Sequence, residues 1–443
     1  MRGLFPPYPR KGRPIGVIHF GVGAFHRAHQ AVYFDQAIRN GLGEWGIYGI
    51  SPRSREVTDK LRIQEFLYTV NSREGESQNP LVIGSILDGS IFEFENQNLQ
   101  SAALSRELKI ITITTTEKAY VSGREIRSMP NRLIDLLFLR FHAELSAPTL
   151  VSCDNLPNNG EFLRRVIVES AFERKLDDNF LDWLNQLSIP NSMVDRIVPA
   201  STNDAIVEFE RDFGYRDESL ISTEPFKQWV IAPNEGSHEL SKFGVEISDE
   251  VERYEQLKLR VFNGAHSPTA YFSQLSGIEY VYQAMQNPIW NQFIARLQEQ
   301  ISTSFLAPHG VDVVEYGAVA RSRIANSALA HRSSQIAMDG SAKLPQRLFV
   351  ALNTLAHQRK PRERLAFAIS LWIRYLQSGA AVVDPLATEL IERANRATAY
   401  QSVSAIMTTP GLRNPVVEED WTLISHYLHE LQRSLPLDVA AQL

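Results

Sequence analysis

Three side chains in the stretch from Tyr254 to Ser267 have types and spacing suited to acid–base chemistry. They are Lys258, Asn263 and His266. In a regular helix, steps of about 100° per residue put Asn263 about 140° and His266 about 80° from Lys258, so the three can share one face. An amine, a neutral amide and an imidazole on one face suit proton transfer at an alcohol or a carbonyl. An ordinary amphipathic helix with a solvated lysine has the same spacing, and the spacing alone favours that alternative.

The composition is that of an ordinary globular protein. The chain has 443 residues, 44% of them hydrophobic and 22% charged, and this length predicts two domains or more. The formal net charge of −6 predicts no nucleic-acid partner. The N-terminal segment has no continuous apolar core, and no apolar run has the length of a bilayer span. We therefore expect a soluble cytoplasmic protein without a signal peptide or a membrane partner.

The first half opens like a dinucleotide-binding unit. The apolar run PIGVIHF, at 14–20, predicts a buried parallel strand, and helical spacing follows it. Two glycines between strand and helix allow backbone amides to approach a pyrophosphate. In the pattern G-x-G-x-x-G the third glycine would fall at position 26, which is His26 here. A plain strand-to-helix turn is therefore about as well supported as a dinucleotide-binding turn. The predicted cofactor contacts in this turn are Gly21, Val22, Gly23, Ala24 and Phe25.

The ribose of such a cofactor would be bound just past the second predicted strand, WGIYGI at 45–50. Glu56 is the nearest acid, and a carboxylate that accepts from the ribose 2′-OH favours NAD. Arg53 and Arg55 flank the same position and could pair with a 2′-phosphate, which leaves NADP open. A solvated charged loop is the alternative for each arginine.

Further strand-like runs alternate with helical segments and predict an α/β sheet that is mostly parallel. These runs lie at 81–86, 108–115 and 148–153. Ligands bind at the carboxyl ends of parallel strands. Glu117 and Asn155 each follow one of these runs closely and are therefore candidates for a site. Asp195 lies beside Arg196 inside another strand-like run, 193–200. An edge-strand position and a role in a site explain such a charged pair equally well.

The second half changes to helical periods, which predicts an α-helical domain. The polar segment 232–243, with proline and glycine, is the candidate linker. The predicted organisation is a Rossmann-type NAD(P)-binding domain at 1–240 and an α-helical substrate and catalytic domain at 241–443. Within the second domain the polar stretch 331–347 contains His331 and Lys343, which are candidates for a site. An exposed loop between helices is the alternative interpretation of this stretch.

A metal site is not predicted. His26 and His29 could share a helix face, but the chain has no CxxC or HExxH motif. The single cysteine, Cys153, also excludes an internal disulfide and a cysteine-rich zinc site. Phosphate contact or packing is the better interpretation of the two histidines.

Several blocks of this sequence resemble the polyol-specific long-chain dehydrogenases, which include mannitol 2-dehydrogenase, D-arabinitol dehydrogenase and fructuronate reductase (D-mannonate oxidoreductase). The resemblance covers the chain from about Ile15 to its C-terminus. The blocks occur in the order HFGVGAFHRAHQAVY, TITTTEKAY, SCDNLPNNG, MVDRIVPA, EPFKQWVI, YEQLKLRVFNGAHS and QIAMDGSAKLPQRL.

The resemblance implies a metal-independent hydride transfer with NAD or NADP and assigns roles to the matching residues. Lys258 is then the general base in alcohol oxidation and the acid in carbonyl reduction. Asn263 and Asn155 form the oxyanion hole, and His266 orients the substrate. Two neutral amide donors stabilise the negative charge that develops on a carbonyl oxygen during reduction.

The block at 335–348 is closer to the fructuronate reductase branch, which predicts a sugar acid, D-mannonate or D-fructuronate, as the substrate. Lys343 or His331 would then contact the substrate carboxylate, and Asp195 is a third candidate for substrate binding. The alternatives are a mannitol or arabinitol dehydrogenase and, from another class, a nucleotide-binding sensor without activity. We expect a monomer or a small homo-oligomer.

Overall fold

The computed structural model describes residues 5–52, 54–115, 117–120 and 128–443, with Glu117 and Lys118 described by their backbone alone. Its contacts divide the chain into two compact units, Met1–Glu252 and Arg253–Leu443. The two units are described in turn.

The first unit contains all the β-strands that the structure describes. They are β1 (Ile15–Phe20), β2 (Gly46–Ser51), β3 (Tyr68–Glu74), β4 (Ser77–Ile83), β5 (Ile86–Ile91), β6 (Ile110–Ile113), β7 (Thr149–Ser152), β8 (Ser192–Asp195), β9 (Ile221–Thr223), β10 (Gln228–Ile231) and β11 (Glu246–Ile247).

Helices alternate with these strands along the first unit. They are α1 (Ala24–Ala28), α2 (Gln30–Arg39), α3 (Glu56–Ile63), α4 (Gln97–Ala103), α5 (Met129–His142), α6 (Asn159–Glu173), α7 (Asp178–Asn185), α8 (Asn203–Phe213) and α9 (Ser237–Ser241), with a 3₁₀ turn at Glu117–Tyr120.

The main sheet has the order β5-β2-β1-β6-β7, and all its neighbouring pairs are parallel. Its strands are buried on both faces, because separate apolar clusters pack against either side. The chain leaves β1 in one direction to β2 and later returns to β6 on the other side of β1. This reversal of strand order at β1 is the place where open α/β sheets bind ligands. The predicted Rossmann-type α/β domain is confirmed.

One predicted strand in this unit is wrong. The run at 81–86 is not one strand, because β4 ends at Ile83 and β5 begins at Ile86. β4 pairs with β3 in an antiparallel hairpin, whereas β5 joins the main sheet. Apolar residues continue across the corner between two sheets, and hydrophobicity alone does not show where the chain changes direction.

The segment 232–243, interpreted above as a linker, folds within the first unit. It contains α9, and Leu240 and Phe243 are each only 2% exposed. The Phe243 ring packs edge-on against Trp45 and close to Phe34. Its polar composition reflects the exposed face of a short helix whose other face belongs to the core.

The second unit is helical and begins inside α10 (Val251–Leu257). Its other helices are α11 (Asn263–Leu275), α12 (Val281–Met285), α13 (Pro288–Ser302), α14 (Val313–Ile324), α15 (Ser333–Ala337), α16 (Gly340–Leu344), α17 (Val350–His357), α18 (Glu363–Gln377), α19 (Ala387–Ala394), α20 (Ala399–Met407), α21 (Trp421–Leu431) and α22 (Pro436–Ala440). Helix α18 is buried along nearly its whole length and packs against α11, α13 and α21, so it forms the centre of this unit. The predicted helical C-terminal domain is confirmed.

Two π turns interrupt the helices of the second unit. One spans Lys258–Phe262 between α10 and α11, and the other spans Pro345–Phe349 between α16 and α17. The two turns contact each other. The helix predicted across 251–274 is therefore helical throughout but not regular, and π turns of this kind occur often at functional sites.

Candidate active site

The predicted glycine turn lies at the carboxyl ends of three neighbouring strands. The Gly21 amide donates to the carbonyl of Ile50 at the end of β2 (2.8 Å), and the Thr114 amide beyond β6 donates to Phe20 (2.8 Å). Gly21 has φ +103°, and a Cβ there would meet the Thr114 carbonyl oxygen at 1.9 Å. Only glycine fits this position. Gly23 is exposed, so the outer backbone of the turn is accessible to a pyrophosphate.

Histidines behind this turn are packed and do not face solvent. His26 and His29 are both fully buried. His29 Nε2 lies 2.8 Å from the carbonyl oxygen of Gln228, and burial lowers the pKa of His29 to about 3. Among the described residues no three His, Cys, Asp or Glu side chains are grouped as metal ligands. Of the two interpretations of His26 and His29, the structure supports packing.

Glu56 is the first residue of α3, just beyond β2. Its side chain is 71% exposed and forms an ion pair with Lys60 (2.9 Å). Glu56 and Lys60 line a cavity of about 340 Å³ together with Arg27 of α1. Arg55 pairs with Glu93 on the surface, and Arg53 lies outside the described residues.

Asn155 follows β7 and is exposed. The neighbouring Asp154 is held by the hydroxyl of Tyr120 (2.5 Å) and by that of Thr115 (3.3 Å). Burial raises the pKa of Asp154 to about 7. Glu117 begins the 3₁₀ turn that carries Tyr120, and its side chain lies outside the described part of the chain. Tyr120 ends the block TTTEKAY, so the motif contained this contact although the sequence analysis did not select it.

Asp195 and Arg196 are buried at the end of β8, with exposed fractions of 2% and 7%. β8 is an edge strand of the small sheet β11-β10-β8. The Arg196 guanidinium donates to the carbonyls of Glu224 and Ala28, so it ties backbone segments together from within the fold. For Arg196 this is a structural role.

Lys258 and Asn263 occupy the two ends of a π turn in the second unit. The Asn263 amide donates to the Lys258 carbonyl. A π turn closes five residues apart, so it places residue i+5 roughly one turn above residue i. Asn263 therefore lies nearer to the azimuth of Lys258 than a regular α-helix would allow. Lys258 is 7% exposed and Asn263 is half-buried.

His266 lies one turn further along and belongs to a group of buried and half-buried basic side chains, which we call the basic cluster. Its members are His266, Arg323, His331, Lys343 and Arg347. Burial, and then His331, Arg347, Arg323 and Lys343 in that order, lower the pKa of His266 well below its usual value. The rings of His266 and His331 meet edge to face at 5.4 Å.

Arg347 comes from the second π turn. Its Nη1 donates to the hydroxyl of Ser267 (2.8 Å), next to His266. Burial lowers the pKa of Arg347 to about 10. Arg323 comes from α14 and stacks on the Phe262 ring, with Cζ 4.1 Å from the ring centroid.

Lys343 lies on α16, which follows a tightly held loop. Its Nζ donates to the carbonyl of Met338 (2.6 Å). The Asp384 carboxylate anchors the start of α16 by accepting from the amide (2.8 Å) and the hydroxyl (2.5 Å) of Ser341. Burial, and then Arg347, lower the pKa of Lys343 to about 8.

The structure thus brings together His266, His331 and Lys343, three residues selected from the sequence. Arg347 and Arg323 were not among the residues predicted from the sequence. Arg347 ends the motif QIAMDGSAKLPQR, so the motif itself was the available signal. Nothing in the sequence around Arg323 marks it, because only the packing of α14 brings it to the cluster.

Comparison with known protein families identifies both parts of the chain. The family model described as the mannitol dehydrogenase Rossmann domain matches residues 15–242, and the mannitol dehydrogenase C-terminal domain matches residues 250–428. The chain belongs to the mannitol dehydrogenase family. Membership in the mannitol dehydrogenase family confirms the resemblance and the prediction of a dehydrogenase that acts on CH–OH groups.

Three relatives in the mannitol dehydrogenase family are similar over nearly their whole length. The D-mannonate oxidoreductase of Escherichia coli is 32% identical, over 89% of this chain and 87% of its own. The mannitol 2-dehydrogenase of Emericella nidulans is 30% identical, over 88% of this chain and 85% of its own. The Pseudomonas fluorescens mannitol 2-dehydrogenase, solved as a ternary complex with NAD and D-mannitol, superimposes with a TM-score of 0.85 at 26% identity, over 99% and 95%.

Among the described residues, no helix combines the length and the apolar character needed to cross a lipid bilayer.

Proposed function

We propose that this protein is an NAD-dependent oxidoreductase that interconverts a secondary alcohol and a ketone on a sugar acid of the D-mannonate/D-fructuronate type. The basic cluster of the second unit is the observation that carries the choice of a sugar acid. Similarity does not make this choice, because relatives acting on D-mannonate and on mannitol have nearly equal identity.

Within the described ranges, two cations of the basic cluster, Lys343 and Arg347, are not directly paired with an acid, although Asp339 and Asp384 lie close enough to Lys343 to raise its pKa slightly against the effect of burial. A cation removed from water without a directly paired counter-ion is costly. A substrate carboxylate would provide a direct counter-charge, and a planar guanidinium binds a carboxylate through two parallel hydrogen bonds.

Lys258 is proposed as the proton-transferring group. During alcohol oxidation its Nζ takes the hydroxyl proton of the substrate, and during ketone reduction it returns that proton to the oxygen. Its 7% exposure keeps bulk water from competing for the proton. The π turn brings Asn263 nearer to the azimuth of Lys258 than a regular helix would, which favours contact of both side chains with one substrate oxygen.

Asn263 and Asn155 are proposed as the donors that stabilise negative charge on the reacting oxygen. Both side chains are neutral, so they donate without adding a charge that would change the proton affinity of a neighbouring amine. His266 is proposed to orient the substrate. Its Nε2 is buried without a hydrogen-bond partner and is therefore available to a substrate hydroxyl.

NAD is the proposed cofactor, and the glycine turn of the first unit fits it. Gly21 allows a conformation that a side chain would prevent, and Gly23 is exposed at the outer side of the turn. Nicotinamide, when bound, supplies the hydride acceptor for oxidation and the donor for reduction. Glu56 is proposed for the adenosine ribose; it would exchange its contact with Lys60 for the ribose hydroxyl. Ala24, Phe25 and Glu117 remain proposed cofactor contacts, and Asp195 a proposed substrate contact.

A substrate panel tests the proposal. D-Mannonate, D-fructuronate, D-mannitol, D-fructose and D-arabinitol are assayed with each nicotinamide cofactor by the change in nicotinamide absorbance. We expect the highest kcat/KM for the D-mannonate/D-fructuronate pair with NAD(H). Equal or better turnover of D-mannitol would contradict the sugar-acid assignment and favour a mannitol dehydrogenase. Tight NADH binding without turnover of any compound would favour a nucleotide-binding sensor.

A further inference from the structure

The third glycine of the dinucleotide fingerprint is absent, and the structure shows what occupies its place. Position 26 is a histidine on α1, and its imidazole lies flat on that of His19 in β1. The two ring centroids are 3.3 Å apart and the ring planes differ by 11°. In the usual fingerprint the third glycine lets the helix pack closely on the strand. Here the contact between helix and strand is made by two stacked rings.

His19 also contacts the turn itself. Its Nε2 lies 3.1 Å from the Gly21 carbonyl oxygen and 2.8 Å from the Thr114 hydroxyl, and its Nδ1 lies 2.7 Å from the Thr112 hydroxyl. A carbonyl oxygen can only accept, so Nε2 carries the hydrogen and Nδ1 accepts from Thr112. Burial lowers the pKa of His19 to about 3, which keeps the ring neutral with one donor and one acceptor.

Three donors meet at the Gly21 carbonyl. Besides His19 Nε2, the Thr114 hydroxyl donates to it (2.9 Å) and so does the Gly23 amide (2.6 Å). This carbonyl is therefore held from the strand side and from the turn side. Its orientation fixes the plane of the peptide between Gly21 and Val22, and with it the path of the backbone into the start of α1.

His26 has a different relationship to its surroundings. It is fully buried, and the Gln30 side chain lies beside its ring, but neither ring nitrogen makes a hydrogen bond of normal geometry. A buried imidazole without well-formed hydrogen bonds is costly, and the contact that His26 makes with the strand is the stacking of its ring face on His19. Its polar atoms contribute nothing to the turn directly.

We propose that the stacked imidazoles of His19 and His26 take the place of the third glycine and position the glycine turn for the dinucleotide. His19 acts through its hydrogen bond to Gly21, and His26 acts through the ring face that holds His19 in place. Both are positioning residues, since neither is exposed to the cofactor. The inference rests on the proposed NAD cofactor.

The experiment measures NADH binding to the full-length protein by fluorescence titration in the absence of substrate. His19→Phe keeps the stacked ring but removes the donor to Gly21. Loss of one hydrogen bond to a buried carbonyl should raise the Kd for NADH roughly tenfold, while kcat at saturating NADH stays close to wild type. His26→Ala removes the ring face and should also raise the Kd, whereas His26→Phe restores a ring and should restore the binding.

His29→Phe is the matched control. It also replaces a fully buried histidine and also removes a hydrogen bond to a backbone carbonyl, that of Gln228 and not that of Gly21, while the phenyl ring keeps the stacking contact with Phe25. It should lower the melting temperature without changing the Kd for NADH. If His19→Phe does not fold, Thr114→Val removes a second donor to the Gly21 carbonyl and should weaken NADH binding in the same direction.

The outcomes separate this inference from the proposed function. A wild-type protein that does not bind NADH would overturn the choice of cofactor. A wild-type protein that binds NADH, together with a His19→Phe variant of unchanged Kd, would overturn the positioning role. Equal losses of binding in His19→Phe and His29→Phe would show that general destabilisation is the cause, which also overturns it.

Discussion

The backbone amide of Asn263 donates to the carbonyl of Lys258, five residues earlier. This hydrogen bond closes the π turn between α10 and α11. It brings Asn263 nearer to the azimuth of Lys258 around the helix axis. A regular helix would separate the two by about 140° around the axis. A smaller azimuthal separation suits the proposed pair of an amine that moves a proton and an amide that stabilises the oxygen.

Replacement of Lys258 by alanine should remove most of the activity. General acid–base catalysis contributes roughly two to four orders of magnitude to a rate, so we expect kcat of Lys258→Ala to fall by that factor. The Kd for NADH, measured by fluorescence titration, should stay near that of wild type. Lys360→Ala is the control, because Lys360 is an exposed lysine of the same unit. Near-normal turnover by Lys258→Ala would contradict its role.

Arg347→Met should discriminate between substrate classes. If the basic cluster binds a carboxylate, loss of a charge-assisted hydrogen bond of about 1.5–3 kcal/mol should lower kcat/KM for D-mannonate roughly ten- to a hundredfold. The residual turnover of D-mannitol should change much less, because an alcohol carries no charge. An equal decrease in kcat/KM for both substrates would show that Arg347 stabilises the folded structure and does not bind the substrate carboxylate.

Arg321→Met is the control for the loss of a partly buried arginine in the same unit. Arg321 donates to the side chain of Gln298 on α13, and it is not a member of the basic cluster. Its replacement should lower the free energy of unfolding without changing the ratio of kcat/KM for the two substrates.

Buried neutral histidines should make the fold sensitive to mild acid. Burial lowers the pKa of His19 and His29 to about 3 and that of His331 to about 4, and lowers the pKa of His26 and His266 well below the usual value. Because the folded-state values lie below the unfolded value of about 6.5, the stabilising contribution is complete above pH 6.5 and is lost as the pH falls toward 3. Each histidine costs about 1.4 kcal/mol per pH unit within that window. Asp154 has a pKa raised to about 7, so its contribution has the opposite sign: it stabilises the fold below pH 4 and this stabilisation is lost as the pH rises from 4 to 7.

Urea unfolding measures this dependence. The free energy of unfolding should be lower at pH 5.5 than at pH 7.5. In His29→Phe the slope of this free energy against pH should be smaller, because about one proton fewer is taken up on unfolding in acid. An unchanged free energy of unfolding across this range would contradict the neutral state of these rings.

Gly340→Ala should destabilise the second unit. A Cβ at Gly340 would meet Trp372 Nε1 at 2.5 Å and the Tyr271 hydroxyl at 2.8 Å. Overpacking of this kind costs roughly 1–3 kcal/mol, measurable as a lower urea midpoint. Gly264→Ala is the control, because the nearest atoms around its Cβ are 3.4 Å away and helix propensity favours alanine. A variant Gly340→Ala as stable as wild type would show that the two rings can move aside.

Much of the architecture was predictable from local pattern. β1 was predictable because a short apolar run ends in glycine, and α18 because its apolar residues repeat with helical period. The order of motifs indicated the family, and the family matches confirm it. The break between β4 and β5 was not predictable, because the apolar character of 81–86 continues through a corner at Gly84 and Ser85.

The site was predictable to a smaller extent. Lys258, Asn263 and His266 were selected by type and spacing, but the π turn that brings the first two nearer in azimuth depends on packing. The second π turn, at Pro345–Phe349, lies against the first. Local propensity does not distinguish a π turn from an α-helical turn, because the same residue types are compatible with either backbone conformation.

By itself, the sequence determined which side chains were available for chemistry and the family to which the chain belongs, since these depend on residue types and their order. Tertiary structure alone decided the direction of Asn263 relative to Lys258, the assembly of the basic cluster around His266, and the stacking of His19 on His26. These relationships join residues of different elements or depend on one additional residue in a helical turn. Their energies come from burial and close packing, which a chain acquires only when it folds.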